Sequence, residues 1–162
     1  MFDWKIILPE VIDNKFRGQK VAYYFFISFT CLMTWRSFVH MFFFEHGLYE
    51  IANYIRLEGD PDPSPLIHML FSIWGMSQLI FCTVCWGCIA KIRSLIPALY
   101  ILWLAEWTIR VFYYPLVFAT LSEDVYRTAI PPGALYAPFL AVVLMIFLLL
   151  SIIKPKSTKT GE

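Results

Sequence analysis

Charge is scarce in this chain, and the scarcity is the first guide to its class. Only 15% of the 162 residues are Asp, Glu, Lys or Arg, while 59% are hydrophobic and 19% aromatic. A soluble domain carries about 25% charged residues, so this composition excludes an ordinary water-soluble fold and points to an integral membrane protein. A basic stripe is also lacking. With a formal net charge of +1 there is nothing to neutralise a run of phosphates, which excludes a nucleic-acid partner. The first apolar run begins near Val21, extends for about 24 residues and lacks a small-x-small cleavage motif, so it is expected to persist as a membrane anchor. Ser28-Phe29-Thr30 before Cys31 is a poor match to a lipoprotein processing site, and no lipidation is expected there.

Four apolar runs are present, at about 21–44, 66–90, 95–118 and 134–153, each long enough to cross the hydrocarbon core of a bilayer. The expected architecture is a single all-α membrane domain over 1–162, an integral membrane four-helix bundle with short interfacial segments. Residues 1–20 set Phe2, Trp4, Ile6, Ile7 and Leu8 among Lys5, Lys15, Arg17 and Lys20, a pattern for a segment at the membrane surface, broken by Pro9. After span 1, Leu48, Ile51 and Ile55 recur at helical spacing, which predicts a short surface helix. The stretch Gly59-Asp60-Pro61-Asp62-Pro63-Ser64-Pro65 lacks the glycine and terminal glutamate of a calcium loop, and reads as a rigid turn with Ser64 capping span 2. Ser122 ahead of Glu123 and Asp124 predicts a further helix start, and Pro131-Pro132-Gly133 a break.

Basic residues set the orientation. Lys5, Lys15, Arg17 and Lys20, then Lys91 and Arg93, then Lys154, Lys156 and Lys159 fall on one side, against Arg56 and Arg127 on the other. The excess places both termini in the cytoplasm, with the cell inner membrane as the expected location. The opposite loops carry Glu45, Glu50, Glu58, Asp60, Asp62, Glu123 and Asp124 and form an acidic face. Spans 1 and 3 each hold an Arg in the outer half and each precede a proline-broken outer loop, a weak internal repeat.

The informative residues are the charges inside the spans. Glu106 and Arg110 lie four apart, one helical turn on one face, with the acid on the favoured N-terminal side. A central charge costs about 2.5–3.5 kcal/mol on insertion, so this face is expected to turn inward. Arg36 and His40 repeat the spacing in span 1. At a rise of about 1.5 Å per residue, Arg36 and Arg110 reach similar depth and Glu106 lies one turn deeper. Two guanidiniums and one carboxylate leave one positive charge unmatched, and an anionic or carbonyl oxygen of a ligand is a candidate match. The expected ligand-binding residues are therefore Arg36, His40, Gln78, Glu106 and Arg110. In the competing reading, Arg36 reaches out to headgroups or to Glu45, while Glu106 and Arg110 only lock helices together.

Two further constellations carry possible cofactors. His40 and His68, from different spans at matched depth, have the arrangement of a bis-histidine haem b site, with Arg36 available to a propionate. Either histidine can equally be a hydrogen-bonded interfacial residue. Cys82, Cys85 and Cys88 sit inside a continuous helical run near the reducing side and lack the second outer pair of a disulfide relay, so they read as small packing residues, with acylation of Cys88 the alternative. No metal centre is expected. Span 4 has nothing polar beyond Tyr136 and Ser151, which leaves it free to face membrane lipids or a partner membrane protein.

Trp74-Gly75, Gln78-Leu79, Arg93-Ser94-Leu95-Ile96-Pro97 and the Glu106/Arg110 pair together resemble small bacterial four-helix membrane proteins of the DoxX group, over spans 2 and 3. The resemblance implies the same four-helix membrane fold and, because some of those proteins are membrane subunits tied to quinone chemistry, a quinone-like ligand. It implies no catalytic residue. The function expected from all of this is binding of an amphiphilic or quinone-like ligand in a buried polar pocket, or service as a small subunit of a membrane complex. The alternatives are the haem subunit and a membrane enzyme acting on a lipid-like substrate, for which a placed acid and cation suffice in an isomerase.

Overall fold

A computed structural model describes residues 4–117 and 124–155, and every regular element among them is helical. Four α-helices follow in order: α1 (Lys20–Phe42), α2 (Ser64–Lys91), α3 (Ile96–Val117) and α4 (Pro132–Ile152). Their bounds fall within two residues of the four apolar runs wherever the ends are described. Three segments, Ser64–Lys91, Arg93–Val117 and Pro132–Ile152, are long and apolar enough to cross a membrane. Helix α1 has the length at 23 residues. Its apolar character is diluted by Arg36, His40 and several Tyr, Trp, Ser and Thr residues.

Helix α1 packs most closely on α2, and α3 on α4. The first contact depends on Gly75: a Cβ there would lie 2.6 Å from the backbone nitrogen of Met41 and 2.8 Å from the carbonyl carbon of His40. Ser72 donates to the Met41 carbonyl at 2.9 Å one turn earlier, which fixes the same crossing. Between α2 and α3 the backbones stand further apart, and large rings fill the gap; Phe81 meets Trp103 at 4.7 Å between centroids. The core is continuous from Phe26, Tyr100 and Met33 through Trp103 to Leu144. Tyr100 is fully buried, and its hydroxyl donates to the Ala22 carbonyl at 2.6 Å. Cys82, Cys85 and Cys88 are free thiols packed in this core beside the aromatic rings, a packing role for all three.

The N-terminal segment wraps the end of the bundle where α2 turns into α3. Asp13 and Ser94 exchange two hydrogen bonds, and Gln19 donates its backbone N–H to Leu150 at 3.0 Å. Partial burial pushes the Asp13 carboxyl up, but the Lys15 N–H and the Arg17 guanidinium together outweigh it and hold the group below its usual range. Leu8, Val11 and Ile12 remain exposed beside Lys15.

Several local expectations change. The predicted surface helix over 47–55 is a π-helical turn, His46–Ile51, that ends early. Gly47 and Leu48 are buried rather than laid on a surface, because Gly47 backs onto Phe71 and His40. Asn53 then takes a left-handed φ of 57°, which an Asn tolerates. The chain runs out alongside residues 126–128: Ile55 donates to the Tyr126 carbonyl at 3.1 Å and Thr128 to the Asn53 carbonyl at 2.8 Å. Pro63, not Ser64, takes the N-cap position of α2; Ser64 is already helical, and its N–H donates to the Asp62 carboxylate at 2.9 Å. That bond holds the Asp62 carboxyl below its ordinary value. Pro132 and Gly133 open α4 instead of breaking the chain, since a first-turn proline lacks only a donor that would be unused. The predicted start at Ser122 lies outside the described residues, as do Lys156 and Lys159.

Candidate functional site

All five expected site residues converge at the end of the bundle that carries the α1–α2 and α3–α4 loops. Arg110 and Glu106 form the ion pair that their spacing predicts, with side chains only 16% and 28% exposed. Gln78 bridges the helices, accepting from Arg36 at 3.2 Å through its carbonyl and donating its amide to the same Glu106 oxygen. Three helices are thereby joined through the Gln78 amide. Arg36 does not turn outward to Glu45, which pairs instead with Arg56 at 3.4 Å.

Two indoles organise the charges. The Arg36 and Arg110 guanidinium carbons lie 4.9 and 5.0 Å from the Trp74 ring centroid, and 5.7 and 5.3 Å from that of Trp107. Like charges held this close repel, and the negative faces of the rings offset part of the cost. His40 is 4% exposed, stacks on Trp74 at 4.7 Å and meets Phe71 at the same distance.

Beyond this cluster lies a cavity of about 620 Å3, and the residues lining it include Arg36, His40, Arg110 and Arg127. No carboxylate lines it among the described residues. Glu106 instead faces a second cleft of about 430 Å3 between α2 and α3, with apolar walls from Phe81, Leu102 and Ile109. Trp74, Arg110 and Tyr114 border both spaces. Three buried nitrogens of residues that border the larger cavity have no hydrogen-bond partner: His40 Nδ1, Arg110 Nε and Arg127 Nε. A buried polar atom left unpaired costs about 1–3 kcal/mol, so these nitrogens, which have almost no accessible surface, are a cost of holding their side chains at the cavity.

Arg127 is the site residue that the sequence does not reveal. It belongs to the α3–α4 connection and is held over the cavity by the pairing of residues 53–55 with 126–128, with its Nη2 donating to the Tyr54 hydroxyl at 2.9 Å. Pro115 of α3 and Pro138 of α4 also border the cavity, as do Val111 and Ala134. A helix-interior proline removes the amide that would bond the carbonyl four residues earlier, here Val111 and Ala134.

His68 stands apart from this cavity. Its Nε2 bonds the Tyr49 hydroxyl at 2.8 Å and its ring meets Phe44 at 5.1 Å, whereas His40 is enclosed by Phe71 and Trp74. Among the described residues no group of three or more His, Cys, Asp or Glu is placed to hold a metal ion. A bis-histidine haem would need the His68 nitrogen that Tyr49 engages, so the purified protein is expected to lack a Soret band. Its appearance in the parent and loss in both His40→Ala and His68→Ala would reverse that reading.

In comparisons with family models, curated proteins and solved structures, no match was found.

Proposed function

We propose that this chain is a four-span membrane protein that binds an anionic amphiphile in the cavity bordered by Arg36, His40, Arg110 and Arg127. The observation that carries the reading is the cavity itself: three guanidiniums and an imidazole border it, and among the described residues no carboxylate does. Its volume lies within the range of about 300–1,000 Å3 typical of small-molecule sites. Apolar walls from Phe71, Val111 and Pro115 suit a hydrocarbon chain beside the charged group.

The membrane setting is supported by the outward faces of all four helices. Tyr24, Leu32, Trp35 and Phe38 of α1 are exposed in the same manner as Ile73 and Ile80 of α2, Leu102 and Ile109 of α3, and Val142 and Ile146 of α4. Continuous exposed apolar surface of this kind is stable against lipid and not against water. This supports α1 as the fourth span, despite its lower hydropathy, because its charged side chains turn inward. The asymmetry of basic residues supports termini on the cytoplasmic side of a cell inner membrane. A DoxX-like four-helix membrane fold accords with this arrangement, and a quinone oxygen is a weaker match to three guanidiniums than a full negative charge.

Native mass spectrometry of the detergent-purified protein tests the proposal. The parent is expected to retain an anionic lipid or fatty acid, and Arg36→Leu to weaken that retention by about 10- to 100-fold, the value of a charge-assisted contact. Equal retention by the two proteins, or a parent carrying nothing beyond bulk lipid, would leave a structural subunit as the better description.

A further inference from the structure

The charges around the cavity do more than attract an anion; their sum specifies one. Arg36, Arg110 and Arg127 bring three positive charges to the lining. Among the described residues Arg110 alone of the three has a carboxylate partner, and Glu106 reaches it from the neighbouring cleft. Among the described residues no acid pairs with Arg36 or Arg127, whose recorded polar contacts are neutral: Gln78 for the one and the Tyr54 hydroxyl for the other. The surplus among the described residues is therefore two charges, held on guanidiniums from two separate parts of the chain.

We infer that the head of the bound amphiphile is a phosphate monoester, doubly charged near neutral pH, rather than a carboxylate, a sulfonate or a phosphate diester. The inference rests on the anionic-amphiphile reading above and narrows it. A phosphate monoester carries about −1.5 to −2 charges at pH 7 and three acceptor oxygens. Those oxygens suit the three guanidiniums that border the cavity, Arg36, Arg110 and Arg127. Guanidinium suits phosphate through its planar fork of N–H groups, and Trp74 holds the planes of Arg36 and Arg110 near one another. The apolar walls exclude inorganic phosphate as the complete occupant, because the free ion would leave Phe71, Val111 and Pro115 in contact with water.

The test compares two lipids with identical acyl chains at pH 8. Phosphatidate has a monoester head, and phosphatidylmethanol adds one methyl group that removes the second charge. Each is titrated into the full-length protein and its retention read by native mass spectrometry, with inorganic phosphate alone as a third ligand. The parent is expected to prefer phosphatidate by about tenfold, as an additional charge-assisted contact implies. In Arg127→Gln that preference is expected to shrink to about threefold or less, while Gly87→Ala, whose position lies outside the cavity lining, is expected to keep the tenfold preference of the parent. Equal binding of the two lipids by the parent, with both lost in Arg36→Leu, overturns the monoester assignment and leaves the amphiphile reading standing. Loss of neither lipid in Arg36→Leu, or binding of neither by the parent, overturns both. Inorganic phosphate bound as tightly as phosphatidate would make this a free-phosphate site and also overturn the assignment. An unchanged preference in Arg127→Gln would remove Arg127 from the charge count and the second charge with it.

Discussion

Replacement of Arg110 by Leu is expected to lower the unfolding free energy by about 3 kcal/mol, the lower end of the range for breaking a buried ion pair. The lower end applies because Glu106 keeps 28% of its side-chain surface exposed and retains the Gln78 amide as a donor. The loss comes from the stranded carboxylate more than from the pair itself. Removal of both partners in Arg110→Leu/Glu106→Leu should therefore recover most of the stability, since an ion pair replaced by apolar residues is often neutral. Chemical denaturation in mild detergent measures both variants. If the double variant is no more stable than Arg110→Leu, stability at this site depends on something other than compensation between the two charges. Arg36→Leu makes the contrast: it removes a cation whose described polar partner is an amide, so the fold is expected to stand while the ligand is lost.

The second large effect is expected at Gly75. Alanine there would place its Cβ 2.6 Å from the backbone nitrogen of Met41, and a backbone atom cannot rotate aside. Helix α1 must shift away, and with it His40, whose backbone carbon lies 2.8 Å from the same point. Overpacking of this kind costs about 1–3 kcal/mol, set against a gain of about 1 kcal/mol for Ala over Gly in a helix. Gly75→Ala should thus be destabilised by about 1–2 kcal/mol and should also bind ligand more weakly, since the stacking of His40 on Trp74 depends on that crossing. Gly87, one position before Cys88 on the same helix, has open space where a Cβ would sit, with nothing within 4 Å. Gly87→Ala is expected to be neutral or stabilising by up to about 1 kcal/mol, so equal losses at the two glycines would contradict the close-approach account.

Much of this arrangement is legible in the residues before any coordinates. The apolar runs mark the helices because a bilayer-length stretch has one stable backbone solution. Arg36, Gln78, Glu106 and Arg110 identify themselves by expense: each is a polar group where polarity is costly, and helical spacing puts the last two in contact. Arg127 carries no such mark. It lies in a loop among acidic residues and reaches the cavity only because Asn53 to Ile55 pair with residues 126–128, a long-range backbone contact that has no periodic pattern. The π-helical turn at His46–Ile51 is hidden for a related reason. Its Leu48 and Ile51 suit an amphipathic surface helix, and it is the approach of Phe71 to Gly47 that buries the segment instead. The lone match of His40 with His68 misleads because depth along a helix says nothing about azimuth: one ring faces Trp74, the other Tyr49.

The central claim is that an anionic amphiphile occupies the space between the helices, and photocrosslinking locates such a ligand most directly. A phosphatidate analogue with a diazirine near its head group would be incorporated with the protein in nanodiscs, irradiated, and the labelled peptides identified by mass spectrometry. Labels are predicted on residues that face the cavity, Ile51, Tyr54, Phe71, Trp74, Val111 and Pro115, with labelling suppressed in Arg36→Leu. Labels confined to the outward surface of α1, at Trp35 and Phe38, and unchanged by that substitution would show only surrounding lipid and would contradict the account.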